Sequence, residues 1–307
     1  MNKIKYGIIG AGHLGNYHAQ QLTKINDCKL IGVYDISERN AKNISKKYNI
    51  PLYKNYEELL LSCDAVSICT PASAHYQNIL DALKNNCDMF IEKPLTNDLL
   101  KGKQIVEINN VHKKIIQVGH VERFNEAYLA YKKHGTNPLF IESHRLAPFN
   151  IRGLDVPVVL DLMIHDIDLV LSIVNHKIVN ISATGAKVLS EFIDLASARI
   201  EFENGSVANI TASRISEQPM RKMRIFEKQS YASLNFQKQT CKILTIEENG
   251  SIKKINSIEK ISNALYEELK SFIECIKLST KPLVCEKEGL AALEIAIKIQ
   301  NIIENNK

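Results

Sequence analysis

Short apolar runs alternate with longer amphipathic segments along the first 120 residues of the chain. Residues 6–9 and 65–68 are almost wholly apolar, which is typical of strands that are buried on both faces of a sheet. Between such runs, apolar positions recur at helical spacing, as at Tyr76, Ile79 and Leu83. Strands that alternate with helices in this way predict βαβ units and a parallel, doubly wound α/β sheet.

The predicted strands of this sheet are residues 3–9, 29–34, 64–70, 87–91 and 114–118, with a shorter strand at 51–53. In sheets of this class, ligands bind beyond the carboxyl ends of the strands. Polar or proline-containing strand ends occur at Thr70-Pro71, at residues 92–94 and at Gly119-His120. The sequence therefore predicts a binding site along this edge of the sheet.

The pattern changes after about residue 120. A helix is predicted near 125–134 and a longer one within 156–174. Strand-like runs make up most of the remaining chain between residues 139 and 247. The runs are residues 139–146, 178–188, 195–203, 206–214, 222–228, 231–236 and 241–247. Asn-Gly pairs at 204–205 and 249–250 are hairpin signals between them. We expect an α+β domain built on a large, mainly antiparallel open sheet.

The length of 307 residues suits two domains, which we place at 1–120 and 121–307. Amphipathic helices within 264–305 are expected to pack back on the first domain. A large sheet with an uncovered face often pairs with a second copy of the chain. We therefore expect a homodimer or homotetramer formed through the C-terminal sheet.

Composition excludes several classes of protein. Hydrophobic residues make up 45% of the chain and charged residues 24%, as in ordinary soluble proteins. The net charge is +5, but the lysines are scattered among acidic and amide side chains, which argues against a nucleic-acid partner. No run of eighteen or more apolar residues could cross a membrane, and no signal peptide precedes the first strand.

The cysteines indicate the compartment. Seven are present, without a CxxC pair and without the spacing of metal ligands, so no metal site is predicted. An odd number of cysteines without a disulfide framework is typical of a reducing compartment. We therefore expect a cytoplasmic protein.

A glycine-rich turn of sequence GAGHLG joins the first predicted strand to the first predicted helix. Gly10 permits the tight turn, Gly12 lets the backbone approach a pyrophosphate, and Gly15 lets the helix pack closely on the strand. The helix N-terminus adds free N–H groups and a positive dipole end that favour phosphates. His13 and Leu14 lie in the same turn and complete the predicted dinucleotide contacts.

Asp35 ends the second predicted strand, about 20 residues after the last glycine. A carboxylate in this place holds the adenosine ribose hydroxyls and repels the 2′-phosphate of NADP. Arg39 lies close enough in sequence to keep NADP as the less favoured alternative. The expected cofactor is NAD.

Features along the whole chain together resemble the glucose–fructose oxidoreductase / inositol dehydrogenase / MocA (GFO/IDH/MocA) family. They are the glycine-rich turn, Cys69-Thr70-Pro71 followed by His75, Glu92-Lys93-Pro94, and a helix with Asp161, His165 and Asp168. The resemblance implies a Rossmann domain, a second substrate-binding domain and an NAD(P)-dependent dehydrogenase that acts on a CH–OH group. It also implies that Thr70, Pro71, His75, Glu92, Lys93 and His120 line the cofactor site.

The same resemblance implies the catalytic residues. Oxidation of a secondary alcohol needs a base for the hydroxyl proton. Lys93 can serve because an ammonium group gives up its proton more readily beside a positively charged nicotinamide ring. His165 can serve because histidine changes protonation near neutral pH, and Asp161, one helical turn earlier, can orient its ring. Which of Lys93 and His165 acts as the base stays open.

Within the family, residues 119–125, 145–149 and 155–166 are similar to bacterial nucleotide-sugar dehydrogenases of lipid A biosynthesis. This implies oxidation of the 3-hydroxyl of UDP-N-acetylglucosamine, or of a related nucleotide sugar, to a 3-keto sugar. Guanidinium groups bind phosphates bidentately. The predicted substrate residues are Lys93, Arg123, Phe124, Asn125, Arg145, Arg152, Asp161 and His165.

The substrate prediction has alternatives. Many family members have a glycine-rich segment before the helix with Asp161, whereas this chain has Val158-Val159-Leu160. A free-sugar or inositol dehydrogenase would not need the arginines. A non-catalytic dinucleotide sensor on the same fold would have no use for paired Lys93 and His165. A reductase of a non-sugar substrate is disfavoured by Asp161 and His165, which are expected to face sugar hydroxyl groups.

Overall fold

The structure is a computed structural model that describes residues 3–135, 137–150, 156–247, 249–257 and 261–305. Arg152, one of the predicted substrate residues, lies outside the described residues. The chain forms two compact units. The first comprises Met1–Val121 with Leu265–Leu290, and the second comprises Glu122–Ala264 with Ala291–Lys307.

The first unit is built on a parallel sheet with the strand order β2-β1-β3-β4-β5. Its strands are β1 Ile4–Ile9, β2 Cys28–Tyr34, β3 Ala65–Ile68, β4 Asp88–Glu92 and β5 Ile116–Gly119. Strand β2 lies on one side of β1 and β3 lies on the other, so the strand order reverses between β1 and β3. Such a reversal of strand order is where open α/β sheets bind their ligands.

Helices follow the strands of this sheet. They are α1 His13–Leu22, α2 Glu38–Tyr48, α3 Tyr56–Ser62, α4 Ala72–Lys84, α5 Leu99–His112 and α8 Ala264–Leu278. Polar side chains cap several of them: Asn55 accepts a hydrogen bond from Glu57 N at 2.8 Å, and Asp98 accepts one from Lys101 N at 2.9 Å. These caps satisfy amide groups that a helix start leaves without a backbone partner.

Apolar layers cover both faces of the parallel sheet. On one face, Tyr6 and Phe90 contact Phe272 of α8 edge to face, with ring centroids 6.2 and 6.0 Å apart. On the other face, Ile68 and Met89 lie in a cluster with residues of α3, α4 and α5. Strands buried on both faces explain why the sequence of this sheet is continuously apolar.

The second unit contains an eight-stranded sheet with the order β13-β12-β11-β10-β6-β9-β8-β7. The strands are β6 Pro138–Leu146, β7 Ile178–Ala186, β8 Leu195–Phe202, β9 Val207–Ser213, β10 Met220–Glu227, β11 Ser230–Asn235, β12 Thr240–Ile246 and β13 Ile252–Ser257. The β6–β9 pair is parallel and the other pairs are antiparallel. The predicted α/β fold with a mainly antiparallel second sheet is confirmed.

One face of this sheet is covered by helices α6 Glu126–Lys132, α7 Ile164–Val174 and α9 Glu286–Asn305. Ala292, Ala296, Ile299 and Ile303 of α9 lie in the core of the second unit. The sequence analysis placed both C-terminal helices on the first domain. In the structure residues 265–290 group with the first unit, and the rest of α9 groups with the second.

Two local predictions differ from the structure. Strand β13 was not predicted, although the Asn249-Gly250 signal that precedes it was, and Gly250 has a φ of +79°. The predicted strand at 51–53 is reduced to a single bridge between Leu52 and Val33. Among the described helices, none has both the length and the apolar character needed to cross a membrane.

Candidate active site

The glycine-rich turn lies between β1 and α1, and its three glycines have different surroundings. Gly10 has a φ of +95°, and a Cβ there would lie 2.7 Å from the Cys69 carbonyl. A Cβ on Gly15 would lie 1.9 Å from the Gly10 carbonyl oxygen. Among the described residues, no heavy atom lies within 4 Å of a Cβ built on Gly12. Gly10 and Gly15 are therefore required by the protein itself, and Gly12 leaves open space.

That space belongs to a cavity of about 650 Å³ at the carboxyl ends of β1, β2 and β3. Seven of the predicted cofactor residues line this cavity: Gly10, Gly12, His13, Leu14, Asp35, Thr70 and Pro71. Its size is within the range of cofactor sites. Helix α1 begins at the cavity, has no side-chain cap at Gly12 and carries no carboxylate in its first turn. Its free amide groups fit a pyrophosphate.

Asp35 lines the cavity and is held by backbone amides. One carboxylate oxygen accepts a hydrogen bond from Ala11 N at 2.6 Å, and the other accepts one from Ser37 N at 2.7 Å. Each oxygen keeps lone pairs for a further donor. This fits the hydroxyl groups of an adenosine ribose, and the residues of the cavity as a whole fit NAD.

Further polar side chains that the sequence analysis did not predict also line the cavity. The Tyr34 and Tyr56 rings lie 5.4 Å apart, and both residues line the cavity. Asn78 lines it too and donates a hydrogen bond to Thr70 Oγ1 at 2.9 Å. Burial raises the pKa of the Tyr56 hydroxyl, so it stays protonated. No local motif marks these residues, since they come from three separate elements, β2, α3 and α4.

Glu92, the first residue of the Glu-Lys-Pro motif, ends β4 as a buried carboxylate. Its Oε1 lies 2.8 Å from Nε2 of His18, a residue of α1. Its Oε2 accepts a hydrogen bond from Lys93 N at 3.3 Å. Burial alone raises the pKa of Glu92, but the hydrogen bond and the electrostatic attraction of His18, followed by the charge of Lys93, outweigh it, so the pKa is lowered. Glu92 is therefore a buried anion at the strand end.

His75, predicted to contact the cofactor, is buried between two backbone carbonyls instead. Its Nδ1 lies 2.9 Å from the Pro94 oxygen, and its Nε2 lies 2.9 Å from the Thr70 oxygen. Burial lowers the pKa of His75, and the two carbonyls offset this only in part. His75 thus joins the loop after β3 to the loop after β4, which carries Lys93.

Lys93 and His120 occupy the two neighbouring strand ends. Lys93 directly follows β4, is half-buried and precedes the buried Pro94 through a cis peptide bond. His120 directly follows β5 and is 1% exposed. Both therefore lie at the carboxyl edge of the parallel sheet, where the sequence analysis expected them.

In the second unit, Asp161 and His165 lie where a π-helical turn, Val159–Met163, runs into α7. The Ile164 amide donates to the Val159 carbonyl five residues earlier, which widens this turn. Asp161 and His165 are both partly exposed. Single π-helical turns of this kind occur often at functional sites.

Asp168 stands seven residues after Asp161 and three after His165, a spacing that puts all three on one face of a regular helix, but it is buried in an ion pair. Arg123 Nε and Nη2 donate to its two carboxylate oxygens at 2.6 and 2.9 Å. Burial lowers the pKa of Arg123, but the bonds to Asp168 more than reverse this and raise it. The pair is a structural link inside the second unit.

Arg145 forms a second buried ion pair. Its guanidinium donates to Asp166 at 2.6 and 3.2 Å and to Glu122 at 2.7 Å. Burial opposes the charged form, but the two carboxylates outweigh it and raise the pKa of Arg145. Asn125, also buried, caps α6 and donates to Glu122 and to the Phe236 carbonyl.

These contacts weigh against the phosphate-binding role that the sequence analysis predicted for Arg123 and Arg145. Arg123 and Arg145 are 7% and 3% exposed, and their guanidinium groups are satisfied by buried carboxylates. Phe124 and Asn125 are equally buried, at 7% and 5%. The geometry therefore fits a structural role for the four side chains better than contacts with a diphosphate.

Comparison with known proteins agrees with this geometry. The sequence profile of the GFO/IDH/MocA oxidoreductase family, a NAD-binding Rossmann fold, matches residues 4–120. The profile of the GFO/IDH/MocA C-terminal domain matches residues 118–230. Together they cover the parallel sheet and most of the antiparallel one.

Individual relatives match over the full chain. The chain is 32% identical to UDP-N-acetylglucosamine 3-dehydrogenase of Acidithiobacillus ferrooxidans, over 99% of this chain and 98% of that protein. It is 28% identical to scyllo-inositol 2-dehydrogenase (NAD(+)) of Bacillus subtilis, over 99% and 95%. A solved structure of the Acidithiobacillus enzyme matches with a TM-score of 0.94 and 31% identity over 99% of both chains. The chain belongs to the GFO/IDH/MocA family of NAD-binding oxidoreductases.

Proposed function

We propose that this dehydrogenase oxidises the 3-hydroxyl group of UDP-N-acetylglucosamine, or of a closely related nucleotide sugar, to the 3-keto sugar. The observation that supports this most is the full-length similarity to UDP-N-acetylglucosamine 3-dehydrogenase, at 32% identity in sequence and a TM-score of 0.94 in structure. Two inositol dehydrogenases that match over 99% of the chain are 24% and 28% identical to it.

The reaction needs one hydride and one proton to leave the substrate. NAD, when bound, takes the hydride from the carbinol carbon. We propose that Lys93 and His165 manage the hydroxyl proton, one as the base and the other as a hydrogen-bond donor that stabilises the developing alkoxide. Asp161, one turn before His165, orients the imidazole. The partial exposure of these three side chains leaves them accessible to substrate.

The buried ion pairs change the argument for a nucleotide sugar. Arg123 and Arg145 no longer support it, because their charges are neutralised inside the second unit. The proposal for this substrate therefore depends on the full-length similarity. A second candidate function, inositol oxidation, has the 28% identical relative from Bacillus subtilis in its favour.

The test is NADH formation with UDP-N-acetylglucosamine, free N-acetylglucosamine and myo- or scyllo-inositol as parallel substrates. Hydroxylamine in the assay traps the ketone and removes an unfavourable equilibrium. Turnover confined to the nucleotide sugar supports the proposal. Turnover with inositol alone would replace it with the second candidate.

The role of Lys93 is tested by Lys93→Ala. Loss of a proton-transfer group lowers kcat by roughly 10²- to 10⁴-fold, whereas NAD affinity should change little. Lys103→Ala, an exposed lysine on α5, is the matched control and should retain full activity. A Lys93→Ala enzyme with normal turnover would remove Lys93 from the proposal.

We further propose that two copies of the chain pair through the uncovered face of the eight-stranded sheet. This face carries an aromatic row, with Phe226 5.9 Å from Phe140 and 5.1 Å from Tyr231 between ring centroids. Phe226 is 37% exposed, which is unfavourable for an isolated chain. Phe226→Glu should shift the molar mass in light scattering to a smaller species, while Val111→Glu on α5 should not.

The proposed compartment is the cytoplasm. All seven cysteines lie in the described part of the chain and carry free thiols. Free, mostly buried thiols are typical of a reducing compartment. Fractionation of cells that express the protein with a C-terminal tag tests this, and recovery from the periplasm would contradict it.

A further inference from the structure

We propose that His18 is a positioning residue for Lys93: as a neutral imidazole with its proton on Nε2, it holds Glu92 as a fixed anion at the end of β4. This inference rests on the role of Lys93 in the proposed function. It concerns a histidine that the glycine-rich motif does not include and that lies 74 residues from Glu92 in the sequence.

Four side chains, from Tyr6 to Glu92, form a row of hydrogen bonds whose directions follow from their chemistry. Tyr6 Oη lies 3.0 Å from Ser67 Oγ, Ser67 Oγ lies 2.8 Å from His18 Nδ1, and His18 Nε2 lies 2.8 Å from Glu92 Oε1. A carboxylate only accepts, so Nε2 carries a hydrogen. A neutral ring then accepts at Nδ1 from Ser67, and Ser67 accepts from Tyr6. Every donor hydrogen in this row of hydrogen bonds, from Tyr6 to Glu92, then has an acceptor.

An imidazolium ring would break this order. Its Nδ1–H would donate to Ser67, and one of the two hydroxyl hydrogens, that of Ser67 or that of Tyr6, would then have no acceptor among these four groups. Burial raises the pKa of Tyr6 well above its usual value, so this hydroxyl keeps its proton. A buried donor without a partner is unfavourable. The neutral ring is therefore the arrangement that satisfies all four groups.

The hydrogen-bonded side chains are buried and restricted in their movement. Tyr6, Ser67 and His18 are fully buried and Glu92 is 8% exposed. The His18 ring lies edge to face on Phe90, with centroids 5.0 Å apart, which restricts rotation of the imidazole. Hydrogen bonds to a charged acceptor in such surroundings are stronger than neutral ones. His18 thus supplies the donor that makes a buried carboxylate tolerable.

Glu92 is linked to Lys93 through the backbone. The second oxygen of Glu92 accepts from the Lys93 backbone amide, which fixes the direction in which the chain leaves β4. Gly119 of β5 borders the same oxygen, since a Cβ there would lie 3.1 Å from Glu92 Oε2. Movement of the carboxylate is therefore restricted on both sides, and with it the backbone from which the Lys93 side chain projects.

Ionisable groups from several of the elements around Glu92 act on it electrostatically. They are His18 of α1, Lys93 next to it, His75 of α4 and Cys69 after β3. Burial raises the pKa of the Cys69 thiol and the Glu92 charge raises it further, so Cys69 adds no charge. A change at His18 should therefore be visible in the titration of Glu92.

Two variants of the same position separate the two hydrogen bonds of His18. The amide of His18→Gln reaches the place of Nε2 and can still donate to Glu92. The shorter amide of His18→Asn reaches only the place of Nδ1, keeps Ser67 and loses Glu92. We expect His18→Asn to lower kcat by roughly 10- to 100-fold with the KM for NAD nearly unchanged. His18→Gln should stay within a few-fold of the wild type.

Nuclear magnetic resonance gives a measurement that does not depend on turnover. In protein with ¹⁵N-labelled histidine, the His18 ring should show a protonated Nε2 and an unprotonated Nδ1 at neutral pH. The ¹³C carboxyl signal of Glu92 should titrate at a higher pH in His18→Asn than in the wild type. Thermal unfolding of both variants shows whether each is folded.

The outcomes are distinct. An imidazolium or an Nδ1–H ring, an unchanged Glu92 titration, or an equal loss of kcat in the Gln and Asn variants would each overturn the inference. If the wild type oxidises none of the sugars, the proposed function fails, while the ring tautomer and the Glu92 titration still decide how His18 holds Glu92.

Discussion

Replacement of Gly12 by alanine should weaken NAD binding without disturbing the fold. The added methyl group meets no protein atom in the described part of the chain, but it would occupy space that the bound pyrophosphate needs. Gly12 has a φ of −75°, which alanine adopts without strain. Among the described residues, no heavy atom lies within 4 Å of the new Cβ. The methyl group would stand in the cavity where the pyrophosphate is expected.

The expected effect on stability is small because two contributions oppose each other. Alanine restricts the unfolded chain, which stabilises by about 0.4–1 kcal/mol. Gly12 is also the N-cap of α1, a position where alanine is less favourable than glycine by a similar amount. The free energy of unfolding without cofactor should therefore change by less than about 1 kcal/mol, or roughly 4 °C in Tm.

The effect on NAD binding should be large. A methyl group forced into a filled site costs about 1–3 kcal/mol, which corresponds to a roughly 5- to 150-fold weaker Kd. Calorimetric titration with NAD measures the Kd, and thermal unfolding of the same samples measures stability. Gly15→Ala is the matched control. Its Cβ would lie 1.9 Å from the Gly10 carbonyl oxygen, so Tm itself should fall.

Two results would refute the reasoning. If Gly12→Ala binds NAD as tightly as the wild type, the pyrophosphate does not occupy the open space beside Gly12. If Gly12→Ala unfolds many degrees below the wild type, the space is not open in the folded protein. A Gly15→Ala protein of normal stability would contradict the close approach of α1 to β1.

Three further predictions concern the ion pairs and carboxylates. Arg145→Leu leaves Asp166 and Glu122 as buried charges without their partner, so it should lower the free energy of unfolding by about 3–5 kcal/mol and Tm by roughly 6–20 °C. A normal Tm would contradict the ion pair. Burial alone raises the pKa of Asp194, but its hydrogen bonds with the segment 188–190 outweigh burial and lower the pKa to about 2. The charged carboxylate therefore stabilises the folded protein fully above the unfolded pKa near 4, and this stabilisation is lost as the pH falls toward 2. Asp194→Asn should therefore be less stable than the wild type by roughly 2–3 kcal/mol in urea at pH 7 and nearly equal at pH 2, and a difference that is the same at both would exclude the carboxylate charge. Asp35→Asn removes the charge that repels a 2′-phosphate and should reduce the preference for NAD over NADP by roughly 10-fold in the ratio of kcat/KM values, whereas an unchanged ratio would show that Asp35 does not select the cofactor.

The glycine-rich turn and the strand pattern were predictable because they depend on local rules. A positive φ at Gly10 and a close approach at Gly15 can be inferred from six consecutive residues, and uninterrupted apolar runs identify strands buried on both faces. The same rules found the strands of the second sheet to within a few residues. Strand β13 was missed because only part of its length is apolar and its residues are largely exposed.

The arginines show where local rules end. The sequence presented Arg123 and Arg145 as free cations near a predicted substrate segment, and nothing within a few residues of either indicates a partner. The Asp168 partner of Arg123 lies 45 residues away, and the partners of Arg145, Asp166 and Glu122, lie 21 and 23 residues away. Helical spacing put Asp168 on a face with Asp161 and His165, but the π-helical turn and the ion pair leave Asp168 buried.

The sequence by itself determined the fold class, the cofactor turn, the cofactor and the family, because each depends on residues adjacent in the chain or on a period of two or of 3.6 positions. Only the tertiary structure decided which side chains meet. It joined His18 to Glu92, His75 to two strand-end loops, and α9 to the core of the second unit. A periodic pattern shows which face of an element is buried, but not which element covers it. That choice depends on packing and charge pairing between distant residues, which only the folded chain brings together.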